Sequence, residues 1–297
     1  MNQRAARSRP SLLGGLSGGK SAWPRYVHPP RLVLSIALSL LRERERSFCS
    51  DAKALIDGVV PEPRVENSHL IPQEGPFLIA TNHYYRRGYR AWWGIALITE
   101  AVASSRSSTS EITWVITDRW TYPDALRVRM VTPLTHLILT RLAHTYGFVS
   151  MPPMPPQPRY REQGACGVRQ VLSVLRSSRD GDAPIIGIAP EGRDSSDGSL
   201  IAPPSGTGRF LVHMASWGLH ILPVGVAEVD GVLTASFGPP FALEGWSEVD
   251  KRERDLRAST QVMAAIGAQL PPSLWGEYRE EVERILRGGG LYSEGSE

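Results

Sequence analysis

Short apolar runs alternate with longer amphipathic stretches along most of this chain. Phe77-Leu78-Ile79-Ala80-Thr81 and Ile112-Thr113-Trp114-Val115-Ile116-Thr117 have the length and the β-branched or aromatic content of buried strands. Ile185-Ile186-Gly187-Ile188-Ala189, Ile221-Leu222-Pro223-Val224-Gly225-Val226 and Val232-Leu233-Thr234-Ala235-Ser236-Phe237 read the same way. Helical spacing fills residues 90–104, 124–147, 164–178 and 206–218, and returns at 249–268 and 273–287. Strands alternating with helices predict an α/β fold, a mostly parallel central sheet flanked by helices. The Asp230-Gly231 turn predicts that the strand after it folds back antiparallel on the one before.

Outside that alternation, the apolar run from Leu32 to Leu41 ends in Arg42-Glu43-Arg44-Glu45-Arg46. Ten residues cannot cross a bilayer, which needs about 20, so residues 31–60 are expected to form a helical segment on the domain or on a membrane surface. Met130, Leu134, Leu137, Ile138 and Leu142 share one face of the 124–147 helix. Packing against the sheet is the first expectation for that face and lipid contact the second. The proline-rich stretch 151–158 reads as a rigid loop, because the alternation resumes after it. One α/β domain over 61–287 and a frayed end at 288–297 complete the division.

Composition adds limits. The chain has 297 residues, 41% hydrophobic and 21% charged, with a formal net charge of +3. Residues 1–30 hold Arg4, Arg7, Arg9, Lys20 and Arg25 and no acid, which leaves the body slightly acidic and gives it no reason to bind nucleic acid. The 1–30 segment reads as a disordered basic tail. Its Gly14-Gly15-Leu16-Ser17-Gly18-Gly19-Lys20-Ser21 string matches a phosphate loop in letters only, for no strand delivers it and no helix follows. Cys49 and Cys166 stand far apart, outside any metal-ligand spacing, which suits a reducing compartment and predicts no metal site.

Candidate chemistry gathers where strands end and helices begin. His83 follows a buried strand directly, in Thr81-Asn82-His83, so its imidazole should face a cleft and can serve as a general base. A capping role for that histidine is the alternative. Pro190-Glu191-Gly192-Arg193 ends another strand; a carboxylate there is poorly explained by packing, and Arg193 can bind phosphate. A plain polar turn is the alternative. Gly206-Thr207-Gly208-Arg209 opens a helix whose N-terminus favours an anion. Arg86, Arg87 and Arg90 lie among Tyr84, Tyr85, Tyr89, Trp92 and Trp93, a mixture suited to a lipid headgroup region or to a core with solvated arginines.

Asn82-His83, Pro190-Glu191-Gly192, Pro204-x-Gly206 and Leu222-Pro223-Val224-Gly225-Val226, in that order, resemble the phospholipid/glycerol acyltransferase family of the lysophosphatidate acyltransferase type. The likeness runs from about Gly75 through Phe237-Gly238-Pro239-Pro240-Phe241 to Leu270-Pro271-Pro272 and Tyr278. The resemblance implies transfer of an acyl group from acyl-CoA or an acyl carrier protein to a lysophospholipid or related alcohol, without a bound cofactor. His83 would be the base, Asn82, Arg86, Arg87, Glu191, Gly192 and Arg193 would hold substrate, and the work would be done peripherally on the cytoplasmic face of the cell membrane. Three positions depart from the family pattern. Gly88 stands where His-x-x-x-x-Asp has its aspartate, and Arg193 and Asp194 replace the threonine and arginine of Pro-Glu-Gly-Thr-Arg. Asp118, after the second strand, is the expected substitute carboxylate, with a salt bridge to Arg119 or Arg127 as its alternative. A non-catalytic lipid-binding relative and a thioester or ester hydrolase are the rival activities.

Overall fold

A computed structural model describes residues 23–106, 111–153, 160–177, 184–244 and 250–288. The first strand, β1 (Arg25–Tyr26), pairs antiparallel with β2 (Val59–Val60). Between them run α1 (Pro30–Arg42) and α2 (Phe48–Ile56). The main sheet is made of β3 (Arg64–Glu66), β4 (Phe77–Thr81), β5 (Ile112–Thr117), β6 (Val149–Met151), β7 (Ile185–Ile188), β8 (His220–Val229) and β9 (Val232–Phe237). Its seven strands lie in the order β3-β9-β8-β4-β7-β5-β6. The five from β8 to β6 are parallel; β9 runs antiparallel to β8, and β3 parallel to β9. The fold is therefore α/β with a mostly parallel sheet, and the strand after Asp230-Gly231 does fold back, both turn residues taking positive φ (51° and 77°) as a tight hairpin requires.

Every residue of β4 and β7 is buried. Because alternate side chains of a strand point to opposite faces, that pattern means both faces of the sheet are covered. The covering helices are α3 (Trp92–Ser105), α4 (Ala125–Tyr146), α5 (Arg161–Ser177), α6 (Thr207–Ala215), α7 (Lys251–Gly267) and α8 (Arg279–Leu286). Caps follow the sequence chemistry: Asp124 accepts from Arg127 N–H (2.9 Å), Ser47 from Ser50 N–H (3.2 Å), and Gly147 ends α4 at φ 65°.

Three expectations change. The expected helix at 273–287 begins as two 3-10 turns, Pro272–Leu274 and Gly276–Tyr278, and becomes α-helical at Arg279, since Pro271-Pro272 and Gly276 interrupt the spacing. Structure also begins before residue 31. The Tyr26 hydroxyl donates to Glu228 (2.6 Å), and the His28 ring packs edge-on against Trp93 at 4.8 Å. Residues 1–22 of the expected tail, and 289–297 of the frayed end, lie outside the described residues. Most of the apolar face of α4, expected first on the sheet, points outward instead: Met130 and Leu134 are more than half exposed and Leu137 and Ile138 about half, while Leu142 packs against the core.

Candidate functional site

Parallel pairing puts Ala80 of β4 beside Ile188 of β7. Three residues further along each strand, at the same carboxyl edge of the sheet, stand His83 and Glu191. Their meeting is thus a consequence of register. Glu191 Oε2 accepts the His83 backbone N–H (2.5 Å) and Oε1 accepts Ile201 N–H (3.0 Å). The residue is 1% exposed. Burial raises the Glu191 carboxyl above its usual range, and the two backbone N–H donors work against that rise. With both oxygens occupied inside the protein, Glu191 ties the two strand exits together and offers nothing directly to a substrate.

Asn82 is used in the same way. Its side chain donates to Val226 O (2.9 Å) and accepts from Val226 N–H (2.7 Å), which extends the β4–β8 pairing beyond the strand end. The result is a rigid platform: Asn82 is anchored to one neighbouring strand and the His83 backbone to the exit of the other.

The imidazole of His83 stays accessible on that platform. Its Nδ1 lies 2.6 Å from Asp194 Oδ1. The carboxylate sits off the line of the ring N–H, so the contact is an ion-pair approach and not an aligned hydrogen bond. A carboxylate at Nδ1 favours the tautomer with its proton there, leaving Nε2 as the basic nitrogen. Asp194 belongs to a loop held close to the first exit: a side chain at Gly198, whose φ is 83°, would meet Tyr85 O at 2.5 Å. The C-terminal turns hold the loop from below, through Leu200 N–H to Leu274 O (2.9 Å) and Glu277 N–H to Leu200 O (3.3 Å). Beside Asp194 opens a cleft of about 380 Å³, lined in part by Arg193, Ser195, Ser199, Ile201 and Glu277.

Asp118 is not the carboxylate at His83. It leaves β5, and β7 stands between β5 and β4; two strand spacings make roughly 10 Å. Arg119 engages it through two bonds of 2.8 and 2.7 Å, and its backbone carbonyl lies 3.1 Å from His136 Nδ1. The salt-bridge alternative for Asp118 is the one found. Gly88 has a local reason: Tyr89 N–H bonds to Arg86 O (3.1 Å), and Gly88 closes this turn at φ 90°, where an aspartate would be strained.

The arginines divide. Arg86 clasps Glu228 through Nε and through an Nη2 contact of 2.5 Å, and stacks on Trp23 at 4.5 Å, so it is not available to a phosphate. Glu228 also receives the hydroxyls of Tyr26 and Tyr84 (2.6 and 3.1 Å). Burial pushes both tyrosines far above the usual range, so they remain donors. Tyr84, Tyr89 and Trp93 are core residues and not an interfacial belt. Arg87 and Arg90 are exposed, and so is Arg193, at the cleft. Gly192 donates its N–H to Ala189 O (3.0 Å) at φ 64°, closing the turn that presents Arg193. At α6, the anion at the helix N-terminus is internal: Asp255 accepts from Gly206 N–H (2.6 Å) and Arg209 N–H (3.1 Å).

Sequence reasoning missed Asp194 and Glu228. Asp194 had been noted only as a departure from a pattern, although it is the nearest acid in the chain to the Glu191 exit. Glu228, near the end of a long apolar strand, carried the signal of a charge where burial was expected.

No family model matches the chain, and no curated relative does. Among solved structures it is similar to the 1-acyl-sn-glycerophosphate (LPA) acyltransferase PlsC from Thermotoga maritima, at 16% identity over 90% of this chain and 92% of that one, with a TM-score of 0.44. A likeness of that size decides neither reaction nor acceptor.

Proposed function

We propose that the chain is an O-acyltransferase that moves a fatty acyl group from acyl-CoA or acyl carrier protein to the hydroxyl of a glycerolipid-type alcohol such as lysophosphatidate. The observation that carries this reading is the accessible His83 imidazole with the Asp194 carboxylate at its Nδ1, beside an open cleft at the carboxyl edge of the sheet. In the reaction, His83 Nε2 takes the proton of the acceptor hydroxyl as its oxygen attacks the thioester carbonyl. The C–S bond then breaks, and the thiolate leaves as a thiol with the proton held on the imidazole. Asp194 stabilises the imidazolium between those steps, the task a carboxylate performs in other His-carboxylate pairs. Asn82 and Glu191 position the base, and Arg193, with Arg87, is the cation available to an acceptor phosphate. The work is peripheral, on the cytoplasmic face of the cell membrane, with residues 31–60 as the attaching segment. Support for that comes from α1, whose Leu34 and Leu41 side chains face away from the protein.

Purified protein incubated with labelled acyl-CoA and lysophosphatidate tests the reading. Diacylated product that disappears in His83→Ala supports it. Free fatty acid as the sole product would make the protein a hydrolase, and acyl binding without product a non-catalytic relative.

A further inference from the structure

In a helix packed on a soluble domain, the outward face is polar. On α4 it is apolar: Leu126, Met130, Leu134, Leu137 and Ile138 are all 45% or more exposed, while Thr135, Ala143, Thr145 and Tyr146 are buried. The neighbouring α1 is reversed in the same sense. Its Ser35 and Ser39 hydroxyls turn inward to accept from Arg46 (2.7 and 3.3 Å), and Val33, Leu34, Leu38 and Leu41 turn out. The two helices are joined by Arg141 to Glu43 (3.5 Å) and by Arg46 N–H to Thr145 O (2.8 Å). Exposed apolar surface of this extent on two joined helices marks a contact surface.

Charge identifies the partner. Segments 30–46 and 124–146 carry seven arginines against three acids, and α4 itself contains no acid. Arg31, Arg42, Arg44 and Arg129 are exposed and have no ion-pair partner among the described residues. Leucines bordered by free arginines suit an anionic lipid surface, where apolar side chains enter the acyl boundary and guanidinium groups meet phosphate. A second copy of the same basic face would bring like charges together. No helix among the described residues is long and apolar enough to cross a membrane, and the inner side of α4 is held to the domain, so it can lie only along the surface.

We infer that the outward face of α4 is an anionic-lipid docking surface, which together with α1 gives the domain a two-helix footing on the membrane. The inference extends the reading of residues 31–60 as the attaching segment, yet it does not depend on catalysis. Its test is flotation of the full chain with phosphatidylcholine vesicles, with and without phosphatidylglycerol. The wild type is expected to float with the anionic vesicles and to be released by high salt. Leu126→Gln/Met130→Gln/Leu134→Gln is expected to lower binding at least about tenfold, with an unchanged melting curve because these side chains are exposed. His83→Ala should bind as the wild type does, so loss of the catalytic reading leaves this result standing. Failure of the wild type to float, or equal flotation of the α4 variant, overturns the proposal. So does a wild-type dimer that the α4 variant converts to monomer, which would identify a second copy as the occupant.

Discussion

Arg86 and Glu228 meet where the Glu228 side chain has no exposed surface and Arg86 keeps 19% of its own. His83 and Asp194 meet on the same strand exit, yet their side chains keep 27% and 50%. The first pair is bidentate, joined by two tyrosine hydroxyls and roofed by Trp23, so every polar atom has a fixed partner. The second is a single close approach off the hydrogen-bond line, with one ring nitrogen uncommitted. The contrast separates a structural pair from a candidate chemical one: Arg86, which had looked suited to substrate, is locked in a buried pair, while His83 and Asp194 are under-bonded and partly exposed, with Asp194 at the cleft.

Removing one partner tests that separation most forcefully at the buried pair. Glu228→Ala leaves the Arg86 guanidinium without its partner and should cost about 3–5 kcal/mol of unfolding free energy in a denaturant titration. His83→Ala should do the opposite, lowering transfer by about 10²–10⁴-fold while the denaturation midpoint stays at the wild-type value. Equal stability losses in the two variants would erase the distinction between the pairs. A smaller effect is expected from Gly88→Asp. An aspartate here places a side chain at φ 90°, at about 1–3 kcal/mol, and should give no gain in rate because the Asp194 carboxylate already lies at Nδ1.

The smallest effect sharpens the role of Glu191. Its carboxyl is raised by burial from an ordinary value of 4.5, so the folded state holds a proton that the unfolded chain has released. The stability this contributes is fully present below 4.5 and is lost as pH rises through the raised value. Thermal midpoints of the wild type should therefore fall across that window, and those of Glu191→Gln should not. A wild-type midpoint that climbs over the same window would contradict the burial argument.

The core of the sheet was legible because β4, β5, β7, β8 and the antiparallel β9 are apolar or β-branched runs whose burial is written into their composition. The short strands β1, β2, β3 and β6, of two or three residues each, leave no periodicity and exist through pairing alone. His83 and Glu191 were legible as strand exits, and register brings them together. Their roles were legible only in part, since the same residues could touch substrate or brace the loop, and only hydrogen-bond partners distinguish the two. Asp194 was invisible as a partner for His83 because the contact spans more than a hundred positions of chain and depends on how the loop is folded at Gly198. The outward face of α4 was misjudged for a related reason: periodicity shows that a helix has an apolar face, not which way that face turns.

The central claim is that Asp194, and not Asp118, is the carboxylate that serves His83. Transfer rates of Asp194→Asn and Asp118→Asn, measured side by side under saturating thioester, test it directly. Asp194→Asn should lose at least about a hundredfold in turnover, with Asp118→Asn close to the wild type once folding is matched. A silent Asp194→Asn beside a crippled Asp118→Asn would contradict it.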